Sequence, residues 1–204
     1  MYPFNTFAAS KPKAGMHFKI LLIFALLLSF SPLLAQPKTD TAAIKKQLAV
    51  LLERDQKTRT TGDSAAFMHQ IDSSNLVQVD ALIAQYGWPG KSFVGASGNN
   101  TIFLVVQHAD LKTQEKYLPL LEKSVAEGES KTSQLALLVD RVRIRTGKKQ
   151  LYGSQLERNP QTSEWVLSPI EDEKNVNNRR SQMGLQPMEE YARLFGITYT
   201  LPTK

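Results

Sequence analysis

Apolar residues recur at three- and four-residue spacing through most of this chain, and a glycine closes most of those stretches. Side chains three and four apart share one face of an α-helix, so the spacing predicts a succession of amphipathic helices. Ile44, Leu48, Leu51 and Leu52 mark the first, running to about Arg59. Phe67, Ile71, Leu76, Val79, Leu82, Ile83 and Tyr86 mark the second, with Asp63 or Ser64 as cap, a kink near Ser73-Ser74 and a stop at Gly87. Trp88-Pro89-Gly90 reads as a turn, because proline restricts the residue before it and glycine permits positive φ. Thr101 to Val106 is a continuous apolar run of the kind a buried strand and a buried helix both show; a helix is favoured, capped by Asn99 or Asn100 after a flexible Gly95 to Asn100. Lys112 to Glu127 turns Tyr117, Leu118, Leu121 and Val125 inward, bends at Pro119 and stops at Gly128. Leu135, Leu138, Val139 and Val142 follow on a helix opened by Ser130 or Thr132 and closed by Gly147.

The pattern changes after Lys149. Gln150 to Glu157 and Glu164 to Leu167, around Asn159-Pro160-Gln161, predict a β-hairpin. Asp172 is then expected to cap a helix over Glu173 to Met183, which Gly184 ends, and Pro187 to start a last helix through Met188, Tyr191 and Leu194. No period repeats, which argues against a solenoid. The expected fold is mainly α: a compact helical domain with one small β-hairpin in the C-terminal half.

Ahead of this domain, His17 and Lys19 lead into an unbroken apolar run from Ile20 to Phe30, followed by Ser31-Pro32-Leu33-Leu34-Ala35-Gln36. A basic start, a short apolar centre and a small residue at the end make a secretory signal peptide, so residues 1–35 are expected to be removed after Ala35. Met16 is a candidate true start. Residues 36–40 form a short polar lead, and 41–204 a single globular α-helical domain. The run is shorter than the roughly 20 apolar residues a bilayer-spanning helix needs. An uncleaved anchor is the alternative. With no cysteine after the run, lipobox-type lipid attachment is excluded, and the product is expected to be soluble, exported to the periplasm or secreted. No stable membrane insertion is expected after cleavage.

Cleavage also removes Lys11, Lys13 and Lys19 and no acid, so the formal charge falls from +6 to +3. Nucleic-acid binding needs concentrated Lys and Arg facing phosphate, and this balance argues against it. The absence of cysteine rules out disulfides, thiolate nucleophiles and cysteine metal sites, leaving stability to an apolar core. One domain's length remains to build it.

Three clusters carry candidate chemistry. His108 is one of two histidines left after cleavage, with His69, and imidazole exchanges protons near neutral pH. Asp110 follows two residues later and can reach the ring if the helix ends near His108; otherwise His108 bonds to backbone and Asp110 caps the next helix. Asp140-Arg141 interrupts an apolar helix, followed by Arg143 and Arg145. Arg141 suits a carboxylate or phosphate by its planar fork, with Asp140 orienting His108. The plain alternative is an ion-pair network to the first helix through Asp55 or Arg59. In the expected hairpin, strand alternation places Gln150, Tyr152 and Ser154 on one face and Leu151, Gly153 and Gln155 on the other. Polar tips beside a glycine suit a polar substrate such as a peptide or sugar; a bulged hairpin bonding to neighbouring loops is the alternative.

Other patterns fail. Gly90-Lys91-Ser92 has Gln85 where a phosphate-binding loop needs its first glycine, and Gly95-Ala96-Ser97-Gly98 lacks the spacing of a nucleophile elbow. Asn99-Asn100-Thr101 is formally a glycosylation sequon. His108 with Asp110 and Asp140 could hold a metal, but two histidines and no cysteine fall short of a typical zinc site, so no metal and no cofactor is expected.

Asp55-Gln56 with Arg59, Tyr86-Gly87-Trp88-Pro89, Gln107-His108-Ala109-Asp110, Asp140-Arg141, Gln150-Leu151-Tyr152-Gly153-Ser154-Gln155, Pro169-Ile170-Glu171-Asp172 and Asn178-Arg179-Arg180 before Gly184-Leu185 occur in this order. Together they resemble the bacterial domain of unknown function 6624 family, over about Leu48 to Phe195. That family's hairpin motif carries Thr where this chain has Ser154. The resemblance implies a domain extent and a choice of motifs, and no mechanism. Two functions stay open. One is a cell-envelope hydrolase with His108 as acid or base, Asp110 or Asp140 orienting it, Arg141 on an anionic group, and Gln150, Tyr152 and Gln155 on substrate. The other is a non-catalytic exported binding or structural module.

Overall fold

The computed structural model describes residues 40–202; the leader and its cleavage after Ala35 lie outside them. The apolar run at Thr101–Val106 falls in the second half of α3 (Lys91–His108), a stretch with no exposed residue. A helix that is apolar all round must be covered on every side. α3 packs against α1 (Thr41–Thr60), α2 (Ala65–Tyr86), α4 (Leu111–Ala126) and α5 (Thr132–Arg145), and Ile102 and Val106 in that stretch are fully buried. Burying each such side chain contributes on the order of 2 kcal/mol. Leu48 and Leu51 of α1, Val79 and Ile83 of α2, Leu121 of α4 and Leu138 of α5 close around it.

Caps set the helix ends. Asp40 opens α1 by accepting the amides of Ala42 and Ala43, and Ser64 opens α2 by accepting that of Phe67. α2 runs unbroken through Ser73-Ser74, and Phe67, expected inward, is exposed. The start of α3 departs from expectation. It opens four residues before the predicted flexible stretch, with Gly90 at the cap and Glu129 accepting the amide of Ser92 at 2.8 Å. Gly95, at φ 78°, breaks the helix there. Asn99 and Asn100 are therefore interior residues and not caps. Asn99 is buried, donating to the Pro89 carbonyl and the Ser130 hydroxyl, which pins the turn after α2 and closes the formal sequon to glycosylation. Lys131 stands at the cap of α5, while Thr132 donates to the Met183 carbonyl.

The hairpin is shorter than expected. β1 (Leu156–Arg158) pairs antiparallel with β2 (Trp165–Leu167), Glu157 opposite Val166. Gln150 to Gln155 form a loop, with Gln150 in a parallel bridge to Ile170 and the Gln155 carbonyl accepting the Ser168 amide. The strand alternation assigned to Gln150, Tyr152 and Ser154 is thus not realised. Asp172 takes a left-handed conformation without capping, so a single 3-10 turn (Glu173–Asn175) precedes α6 (Val176–Gln182). Pro187 starts α7 (Met188–Arg193). Ile170, Val176, Met188 and Ala192 form a second small core, flanked by Leu167, Tyr191, Ile197, Tyr199 and Leu201. Among the described residues no helix is long and apolar enough to cross a membrane.

Candidate functional site

The inward face of α1 runs Ile44, Leu48, Leu51, Asp55, Thr58, so a carboxylate occupies a core position of an otherwise apolar stripe. A buried carboxylate must find donors. Asp55, 1% exposed, accepts from Arg59 Nη2 at 3.0 Å and from Nδ1 of His108 at 2.8 Å. Burial alone would raise its pKa. The hydrogen bonds and charges of His108 and Arg59 override that and hold the carboxyl well below the usual carboxylate range. Being ionised, Asp55 can only accept, so Nδ1 of His108 carries the hydrogen and Nε2 is the ring nitrogen left for another partner.

His108 is the last residue of α3, and its ring lines a pocket of about 270 Å³. His69, Asp72, Ser73 and Leu76 of α2 form one wall, Asp110 and Arg145 another. Arg59 ties the base together by donating to Asp72 at 2.6 Å as well as to Asp55. Two arginines of α5 close the end of α3, whose last carbonyls have no partner within the helix. Arg141 Nη1 donates to the Gln107 carbonyl at 2.9 Å, and Arg145 Nη1 to the Ala109 carbonyl at 2.7 Å.

The seven residues singled out from the sequence separate into two groups. His108 and Asp110 share the pocket, but Asp110 does not orient the ring. Its carboxylate caps α4 by accepting the Thr113 amide at 2.8 Å, and that bond lowers its pKa. Asp140, fully buried, does not reach His108 either. Its oxygens accept the amides of Leu151 (2.7 Å), Tyr152 (3.1 Å) and Ser154 (3.0 Å) and the Ser154 hydroxyl (2.9 Å). Gln150, also fully buried, donates to the Gln155 and Ser168 carbonyls and accepts the Gln155 amide. Gln155 in turn accepts from Arg141 Nε at 3.0 Å. Tyr152 offers its carbonyl to Arg180 Nη1, and burial raises its phenol pKa. Asp140, Arg141, Gln150, Tyr152 and Gln155 therefore hold the 150–155 loop onto α5. The expected ion-pair network from Asp140-Arg141 to Asp55 or Arg59 does not form. Gly153 makes room for Met188 and Ile170: a Cβ there would lie 2.6 Å from Met188 Sδ.

Asp55, Asp72 and His108 each present a donor atom within 4.8 Å of the others, the spacing of a metal site. The trio weighed and set aside from the sequence, His108, Asp110 and Asp140, does not assemble, since Asp140 is spent on the loop. In the trio that does, Arg59 Nη2 already lies between the two carboxylates and supplies their positive charge.

Over residues 31–204 the chain matches a family of unknown function, DUF6624. The chain belongs to this family. No curated protein and no solved structure matches it. The match to DUF6624 contains the extent expected from the ordered motifs, about Leu48 to Phe195, and goes beyond it at both ends, while the chemistry of the pocket rests on its geometry.

Sequence reasoning missed the partner of His108 and most of the pocket wall. Asp55 carried a signal in its place within the apolar phase of α1. His69, Asp72 and Ser73 carried one in their three- and four-residue spacing, which puts them on one face of α2.

Proposed function

We propose that the pocket at the end of α3 is the working site of an exported hydrolase, with His108 as general base and then general acid on a polar substrate. The observation that carries this reading is the 2.8 Å bond from Nδ1 of His108 to buried Asp55, beside a pocket that the same ring lines. A carboxylate on one ring nitrogen fixes the tautomer and orientation and stabilises the imidazolium formed when the other takes a proton. In the hydrolytic reading Nε2 withdraws a proton from water, water attacks the scissile bond, and the same proton passes to the leaving group. The pocket's size suits a small polar molecule or the end of a peptide or glycan. Export rests on the leader, and the modest charge left after cleavage argues against nucleic acid as partner.

A second reading, a non-catalytic binding or structural module, is favoured by one specific observation. Asp140, Arg141, Gln150 and Gln155 are all engaged in bonds within the protein.

The two readings part at His108→Asn. An asparagine amide donates where Nδ1 does, so Asp55 keeps a partner, but no proton-transferring nitrogen remains. Assayed on chromogenic esters, amides, glycosides and phosphoesters, a catalytic His108 predicts a ~10²–10⁴-fold loss of turnover with a melting temperature close to wild type. Wild-type turnover that survives the substitution, or no turnover on any of the four classes, overturns the catalytic reading. Mass spectrometry of the protein recovered outside the cytoplasm checks the leader: an N-terminus at Gln36 supports it and an intact leader refutes it.

A further inference from the structure

The polar groups around the His108 pocket divide into those already engaged and those left open. Asp72 is engaged by Arg59 at 2.6 Å, and Asp110 by the amide at the start of α4. Each carboxylate on the wall thus already accepts a hydrogen bond from the protein. Among the described residues no protein hydrogen bond engages the side chains of His69 or Ser73, or Nε2 of His108. Arg145 is exposed, gives one N–H to the Ala109 carbonyl and forms no ion pair among those residues. One helical turn behind it, on the same face of α5, the largely buried Arg141 also lacks a carboxylate. Burial, then the like charges of Arg145 and Arg59, pull the Arg141 pKa down to about 10. The carbonyl end of α3 offsets part of that charge. The lining itself carries one guanidinium, Arg145, against the carboxylates of Asp72 and Asp110, so the attraction is a local one between open donors and a bound group.

We propose that the pocket takes its substrate by an oxyanion, a carboxylate or a phosphate, seated between Arg145 of α5 and His69 and Ser73 of α2, with His108 beside it. The anion-binding role assigned to Arg141 from the sequence thus passes to Arg145. Arg141 fixes the end of α3 and reinforces the charge behind Arg145. The inference rests on taking this pocket as the functional site and names the chemistry of what enters it. Charge-assisted bonds to a guanidinium fork are strong enough to orient a small substrate, leaving His108 to act on the bond next to the oxyanion.

The test uses the processed chain, residues 36–204, with its two histidine rings ¹³C-labelled, titrated separately with inorganic phosphate and with acetate at constant pH and ionic strength. Both ring resonances are expected to move along saturable curves. Arg145→Gln should weaken binding about tenfold. His69→Gln, on a separate helix, should weaken it several-fold, so that the inference stays testable if one variant fails to fold. Saturation by phosphate alone identifies a phosphate ester as the substrate class, and saturation by acetate a carboxylate. Linear, unsaturable shifts with both ions, or curves unchanged in both variants, overturn the proposal. Oxyanion binding with full turnover in His108→Asn removes the catalytic reading and leaves this one standing. Loss of turnover in His108→Asn with no oxyanion affinity does the reverse.

Discussion

Asp55 and His108 are 53 positions apart in the chain and 2.8 Å apart in space. The bond joins the inward face of α1 to the end of α3, so it can form only once those helices have packed. The same contact that orients the imidazole therefore also contributes to the stability of the bundle.

That double role predicts a pH signature. The Asp55 carboxyl has a lower pKa in the folded protein than in the unfolded chain, where it lies near ~3.9. The folded state then binds fewer protons as the pH falls through that region, so the contribution is complete above about pH 5 and declines below it. Urea unfolding between pH 7 and pH 2 should show this decline in the wild type and a flatter curve in Asp55→Asn. At pH 7 that variant should be less stable by about 1–2 kcal/mol, because the half-buried imidazole loses its charged acceptor, while the exposed Arg59 keeps Asp72. Parallel curves for the two proteins would contradict the assignment.

Asp140 predicts a different result. Its two oxygens face three amides and a hydroxyl of the 150–155 loop, all of them donors. Asn at this position would turn an NH2 group toward those N–H groups. Asp140→Asn should therefore cost about 3 kcal/mol or more, read by chemical denaturation, whereas Ser154→Ala removes one bond and should cost about 1 kcal/mol. The loss should show first in the C-terminal region. An Asp140→Asn protein of wild-type stability that has lost only activity would restore the catalytic role expected from the sequence.

At Gly153 two costs can be separated. The residue sits at φ 67°, and Met188 Sδ fills the space a Cβ would need. Gly153→Ala should cost about 2–4 kcal/mol, part backbone strain and part displacement of Met188. In a Met188→Ala background the second part vanishes, and the same substitution should cost only about 1 kcal/mol. Additive losses across the double-mutant cycle would show that Met188 is not what the glycine accommodates.

Much of the helical scaffold was legible because its punctuation is local. Ser64 and Asp110 cap where their spacing says, and Gly87, Gly128, Gly147 and Gly184 take the positive φ that ends a helix. The misreadings arose where a distant group overrode a local signal. Asn99 looks like a cap, but Pro89 and Ser130 satisfy its amide inside α3. The alternation from Gln150 to Gln155 looks like a strand, but Asp140 draws the loop's amides inward, away from any strand partner. His108 stood out as a rare titratable residue. Asp55, His69 and Arg145 could not be joined to it, since no periodicity links positions on α1, α2, α3 and α5.

The loop gathered around Asp140 also sets the order in which the protein should come apart. Ile170, Val176, Met188 and Ala192 share few apolar neighbours with the helices around α3, and Asp140 is a principal tie between the two regions. Slow proton exchange at the Leu151, Tyr152 and Ser154 amides would then report the peeling away of the whole carboxy-terminal third as one cooperative piece, with the bundle behind it still intact.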